Sequence, residues 1–207
     1  DIKNKNKINA ITPLKKDFLF LSIIIPVYNE EKRLNVAFQE IKKYWRANTK
    51  TKTEIIFIDD GSSDKTKKII EEFISKQTDR QIRLISYQPN KGKGFAVKTG
   101  MLEANGDYIL MVDADMSTSL DELKKFLPFT RASLPIIIGT RRDCGGFSVK
   151  KQPWCRRKMG ELYIFLSRLA TGVKIKDFNC GFKIFSKEAA IKIFSLAMIN
   201  RWVFDAE

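Results

Sequence analysis

The sequence predicts an α/β fold, with a mostly parallel central sheet and helices on both of its faces. Three observations carry this expectation. Short aliphatic and β-branched runs alternate with segments whose apolar residues recur at helical spacing. The runs are continuously apolar, as strands covered on both faces are, and each ends in polar or turn-forming residues. At 207 residues and 43% hydrophobic, the chain can bury one sizeable core. Residues 17–207 are therefore read as one catalytic-sized domain, preceded by a basic, Lys- and Asn-rich arm at 1–16 that is too polar to pack.

In chain order, strands are expected at Leu21 to Val27, Ile55 to Ile58, Ile82 to Ser86, Tyr108 to Val112 and Ile136 to Ile138. Between the first two, Leu34, Phe38, Ile41 and Trp45 recur at helical spacing. Ile69, Ile70, Phe73 and Ile74 do the same behind Asp64, a residue suited to cap a helix N-terminus. Ser119 followed by Glu122 is a capping-box signature, opening a helix through Leu127. Further on, Met159, Leu162, Tyr163, Leu166 and Leu169 form an apolar stripe that suits either the core or an amphipathic helix at a bilayer surface.

Composition narrows the function classes. Cys144, Cys155 and Cys180 are odd in number and lack C-x-x-C spacing, which indicates neither a disulfide framework nor a zinc site and fits a reducing compartment. No run of about eighteen apolar residues occurs, so no membrane span is expected within this sequence. The chain opens without methionine and stops inside a motif, so it is expected to be a segment of something longer. Thirty-eight Lys and Arg against 24 Asp and Glu give a net charge of +14, which attracts phosphates on nucleic acid, anionic lipid or small molecules. A nucleic-acid-binding domain calls for aromatics interleaved with basic residues or a recognisable binding motif, and neither is found.

In sheets of this kind ligands bind beyond the carboxyl ends of the strands. Here those ends read Pro26-Val27-Tyr28-Asn29-Glu30, Asp59-Asp60-Gly61-Ser62 and Asp113-Ala114-Asp115. Carboxylates at neighbouring strand ends repel unless a cation or hydrogen-bond donors lie between them, so the gathering suggests a ligand site. Asp and Asn also favour such turns simply as caps, and for any one residue that plainer role stands beside the functional one. Asp113 and Asp115 flank one small residue, a pairing that suits Mg²⁺ or Mn²⁺, which bind through one or two carboxylates plus substrate phosphates. Asn90-Lys91-Gly92-Lys93-Gly94 is a glycine-punctuated turn before a helix, where free amides and the lysines Lys91 and Lys93 favour phosphate, although a plain helix-entry turn reads the same. It lacks the spacing of a P-loop or of a dinucleotide fingerprint. Residues 141–158 carry Arg141, Arg142, Lys150, Lys151, Arg156, Arg157 and Lys158 against Asp143 alone, among Gly145, Gly146 and Pro153, a basic loop suited to phosphates or an anionic membrane.

Taken together, the ordered motifs from Ile23 to Glu31, at Asp59 to Ser62, at Asn90 to Gly94 and at Asp113 to Asp115 resemble family 2 glycosyltransferases of the GT-A fold. The runs Asp177-Phe178-Asn179-Cys180-Gly181-Phe182-Lys183 and Arg201-Trp202-Val203-Phe204-Asp205-Ala206-Glu207 look like the dolichyl-phosphate β-glucosyltransferase branch and its bacterial polyprenyl-phosphate relatives. The resemblance covers about residues 20–207. It implies a nucleotide-sugar donor, a polyprenyl phosphate acceptor and work at the cytoplasmic face of a membrane. It implies that Asp115 binds the metal, that Asp113 contacts ribose or metal, that Asp60 meets the base, and that Pro26, Tyr28 and Glu30 cradle base and ribose. By the same resemblance Arg141 approaches the donor phosphates. The basic loop, through Arg141, Arg156 and Arg157, is suited to clamp the acceptor phosphate, and Asp177, Asp205 and Glu207 are candidates for orienting the sugar or, with a hydroxyl acceptor, for acting as base. Met116-Ser117-Thr118 departs from the Leu-Gln-His type of run of the mannose branch, which favours a UDP-sugar. With no histidine, a hydroxyl acceptor would need a carboxylate base, whereas a phosphate acceptor is already anionic.

Overall fold

A computed structural model describes residues 20–49, 51–140, 172, 180–201 and 204. Its strands are β1 (Leu21–Val27), β2 (Thr53–Asp59), β3 (Gln81–Ser86), β4 (Tyr108–Met111), β5 (Ile136–Ile138) and β6 (Lys183–Ser186). The helices are α1 (Leu34–Ala47), α2 (Thr66–Ser75), α3 (Lys93–Glu103), α4 (Leu127–Arg131) and α5 (Lys187–Leu196), with a 3₁₀ segment at Leu120–Lys125. The sheet runs β3-β2-β1-β4-β6-β5. The first four positions are mutually parallel, whereas β6 is antiparallel to both β4 and β5. No helix among the described residues is long and apolar enough to cross a membrane.

Why the strand runs are apolar throughout follows from the two faces. Ile23, Ile25, Ile55 and Phe57 pack with α1 and α2, while Ile24, Ile56 and Ile58 pack with α3 and α5. On α1 the expected stripe of Leu34, Phe38, Ile41 and Trp45 is buried, and Phe38 stacks on Phe73 of α2 at 3.9 Å between centroids. Asn48 ends α1 by returning its side-chain amide to the Tyr44 carbonyl at 2.9 Å.

Three sequence expectations need correction. β6 was not anticipated, and it inserts between β4 and β5, which therefore do not pair. Asp64 donates no helix start of its own: α2 begins at Thr66, with Asp64 Oδ1 accepting from the Thr66 amide at 2.9 Å. The capping box is half formed, because Ser119 accepts from the Asp121 amide while Glu122 turns to Lys125, and Leu120–Lys125 winds as 3₁₀ before α4, which carries Pro128 in its first turn.

At the amino ends of the strands, a buried polar knot fixes the sheet. The Glu54 carboxylate accepts from Ser22 Oγ at 2.5 Å, the Asn105 amide at 2.6 Å and Asn105 Nδ2 at 3.3 Å, and lies 3.5 Å from Arg83. Ser22 Oγ in turn accepts from the Gly106 amide at 2.7 Å. Burial opposes the charge of Glu54, but the hydrogen bonds from Ser22 and Asn105 and the charge of Arg83 outweigh it, holding its pKa below the ordinary carboxyl value.

Candidate active site at the carboxyl edge of the sheet

The opposite edge gathers the residues that the sequence singled out. β1 ends in Val27, whose carbonyl accepts from the Asp60 amide at 2.9 Å. Asn29 then turns the chain with φ +53°, a left-handed conformation that Asn tolerates better than most residues. Its Oδ1 accepts from the Ser63 amide at 2.8 Å, while its own amide donates to Ser62 Oγ at 2.9 Å. The Glu30 amide donates to Thr66 Oγ1, and Glu31 and Lys65 are bonded across the same seam, so the loops after β1 and β2 are stitched together. This leaves the Tyr28 side chain exposed and the Glu30 carboxylate paired with Arg33 at 3.3 Å.

Asp59 and Asp60 close β2. Asp59 accepts from the Ser62 amide and Ser86 Oγ, both at 3.0 Å. Asp60 is only 3% exposed, and its carboxylate faces the glycine turn: Oδ1 accepts from the Lys91 amide, and Oδ2 from the Gly92 amide and Asn90 Nδ2, each at 2.8 Å. The amides expected to offer themselves to a phosphate are thus held by the protein's own anion. A carboxylate has about four acceptor positions, and the turn takes three of them. Beside it lies Tyr87, whose phenol pKa is raised by burial, then by the neighbouring Asp60 carboxylate, and then by the charge of Asp59. Gly92 adopts φ +102°, and a Cβ there would fall 2.5 Å from the Asn200 carbonyl oxygen, so close approach and backbone both demand glycine.

Directly after this turn, Lys93 Nζ reaches Asp113 Oδ1 at 2.7 Å. Asp60, the turn, Lys93 and Asp113 form one continuous chain of contacts from β2 to β4. Lys91 instead lies over the Phe95 ring, 4.4 Å from its centroid. The chain turns back at Met116, with φ +49° and its amide donating to the Asp113 carbonyl at 3.0 Å. Ala114 is buried inside this turn, and Asp115 is exposed, with Oδ1 accepting from the Ser117 amide at 2.9 Å. Among the described residues no group of three or more candidate side chains encloses a metal. Asp113 and Asp115 on one tight turn nevertheless present the two-carboxylate set that a hard divalent cation takes when phosphate oxygens complete its shell.

The chain matches the model of glycosyl transferase family 2 over residues 22–194. It belongs to that family. A dolichyl-phosphate beta-glucosyltransferase of Dictyostelium discoideum is 38% identical over the whole chain, and one of Homo sapiens is 34% identical over 90% of it. The chain spans about three fifths of the length of these relatives, 63% and 61%. Among solved structures it is similar to Staphylococcus aureus TarS 1–349, with TM-score 0.60 and 18% identity over 91% of this chain and 53% of that one. It is also similar to the mannosyltransferase PcManGT of Pyrobaculum calidifontis, solved with GDP-Man and Mn²⁺, with TM-score 0.58 and 19% identity over 86% of this chain and 48% of that one. The fold is the GT-A fold that the motifs led one to expect.

Within this family 2 domain, the structure brings Pro26, Tyr28, Glu30, Asp60, Lys91, Lys93, Asp113 and Asp115 to one edge of the sheet. Arg141, Arg156, Arg157 and Asp177 lie outside the described residues, as do Asp205 and Glu207 and the stripe from Met159 to Leu169. Sequence reasoning gave three contributors no task of their own. Asn90 carries a side-chain bond to Asp60, Asn200 lends its carbonyl to the Phe95 amide at 3.1 Å, and Gly181 lies against Asp113. The first had a local signal, since Asn before a glycine turn is a common turn former.

Proposed function

We propose that the protein is an inverting glycosyltransferase that moves a sugar, glucose from UDP-glucose, onto a polyprenyl phosphate at a membrane surface. The observation that carries this reading is the contact chain from Asp60 through Lys93 to Asp113 at the carboxyl edge, in a chain 38% identical to a protein named for glucosyl transfer to dolichyl phosphate. In this reading Asp60 takes an N–H of the base, and Pro26, Tyr28 and Glu30 line the nucleoside. Asp113 and Asp115 would hold Mg²⁺ or Mn²⁺, which would supply charge neutralisation at the departing diphosphate. Lys93, which pairs with Asp113, and Arg141 add to it from the protein side. The acceptor phosphate is anionic near neutral pH, so no base is required, which suits a sequence with no histidine. Arg156 and Arg157 hold that phosphate while Asp177 orients the sugar for attack from the opposite face. The net charge of +14 suits an anionic bilayer surface.

The test is to incubate the full-length protein with polyprenyl phosphate and either UDP-glucose or GDP-mannose, with Mn²⁺ or EDTA. Metal-dependent transfer from UDP-glucose is expected, lost in Asp115→Ala. Equal turnover in EDTA contradicts the metal role. Transfer to a saccharide hydroxyl but not to the lipid phosphate contradicts the acceptor.

A further inference from the structure

We propose that Gly181 is a positioning residue for Asp113: its lack of a side chain leaves the space in which the Asp113 carboxylate lies against Lys93. The backbone at Gly181 does not call for glycine, because its φ is not among the positive values of the chain. Space does. A Cβ built at Gly181 would fall 1.9 Å from Asp113 Oδ2, 2.5 Å from Cγ and 3.1 Å from Oδ1. A contact below about 3 Å forces one side to move.

The Gly181 backbone cannot easily be that side. Its neighbours Cys180 and Phe182 are buried, the Phe182 carbonyl accepts from the Gly139 amide at 3.0 Å, and the Phe182 ring packs on Phe126 at 5.2 Å. One residue further, Lys183 opens β6 and pairs with both Met111 and Ile138. The Asp113 backbone is held as well, by the Val112 amide on the Ile24 carbonyl at 3.1 Å and the Met116 amide on its own carbonyl at 3.0 Å. The carboxylate itself is the freest element. Any larger residue at 181 therefore rotates it away from Lys93. Local sequence gave Gly181 a place in a motif but no task; the fold supplies one by laying the entry to β6 beside the end of β4.

The consequence for ligands rests on the donor-site reading above, but the contact does not, and the experiment separates them. Full-length wild type, Gly181→Ala, Asp113→Ala and the double variant are compared in ligand-free thermal melts and in UDP binding with Mn²⁺. Gly181→Ala is expected to lower Tm by about 3–8 °C and to weaken UDP binding by about tenfold or more. Asp113→Ala removes the obstructing carboxylate, so in that background Gly181→Ala should cost nothing further in either measurement. A merely structural glycine would give the same Tm loss in both backgrounds, and that result overturns the contact. Unchanged UDP binding in Gly181→Ala alongside weakened binding in Asp113→Ala overturns the positioning role. Wild-type binding in Asp113→Ala overturns the donor-site reading and the ligand consequence with it, while the melts still report whether the two residues compete for space.

Discussion

Replacing Asp60 by Asn tests whether that carboxylate organises the glycine turn or serves only a bound base. The substitution keeps shape but exchanges one acceptor oxygen for a donor amide. Three donors converge on Asp60, from Asn90 Nδ2, Lys91 N and Gly92 N, each at 2.8 Å, and the site is 97% buried. An Asn side chain has one oxygen, so at least one of these donors must face another donor. Hydrogen bonds to a charged group contribute about 1.5–3 kcal/mol each, and an unsatisfied buried donor costs about 1–3 kcal/mol. Allowing for relaxation of the turn towards water, a net loss of about 2–4 kcal/mol follows. With a urea m-value of about 2 kcal/mol/M, the unfolding midpoint should fall by about 1–2 M. Hydrogen exchange should speed at the Lys91 and Gly92 amides in particular. An unchanged midpoint with unchanged protection at both amides, and weaker UDP binding as the only defect, would refute the turn-organising role.

Further expectations concern the same edge and the opposite one. Lys93→Met removes the cation that competes for Asp113, so Mn²⁺ alone should bind roughly fivefold tighter, the scale of a partly exposed charge pair, while UDP binding weakens; calorimetry reads both. Glu54 has a folded pKa below its unfolded value, so its contribution is complete above the ordinary carboxyl range and lost as pH falls through the folded pKa. Urea midpoints taken from pH 7 downwards should therefore drop more steeply below about pH 4.3 in wild type than in Glu54→Gln. At Gly106 a Cβ would sit 2.5 Å from the Ser22 amide nitrogen and 2.8 Å from the Tyr108 carbonyl oxygen, both backbone. Gly106→Ala should cost about 2–3 kcal/mol, or about 5–10 °C in Tm, without relief from any single second substitution of a side chain.

Much of the sheet was legible because its cause is local. The bounds of β1 and β5 follow from the apolar runs themselves, and the α1 stripe follows from its 3.6-residue period. β2 reaches beyond its apolar run at both ends, because Glu54 is made tolerable inside the sheet by Ser22 and Asn105, residues distant in sequence. The four residues of β6 carry no alternation long enough to announce a strand, and their place between β4 and β5 is a matter of pairing with residues far away in the sequence, across more than seventy positions to β4.

The amino-acid sequence alone determined which residues would stand at the carboxyl edge, since a parallel α/β sheet puts every strand end on one rim. It could also supply the chemistry of the edge, two carboxylates on one turn beside lysines and glycines. Only the tertiary structure decided how those groups divide their hydrogen-bonding capacity. Asp60 is occupied by the turn, Lys93 by Asp113, and Gly181 by the space it leaves open. Such assignments depend on distances of 2–3 Å between residues twenty to seventy positions apart, and no local pattern of residues encodes distances of that kind.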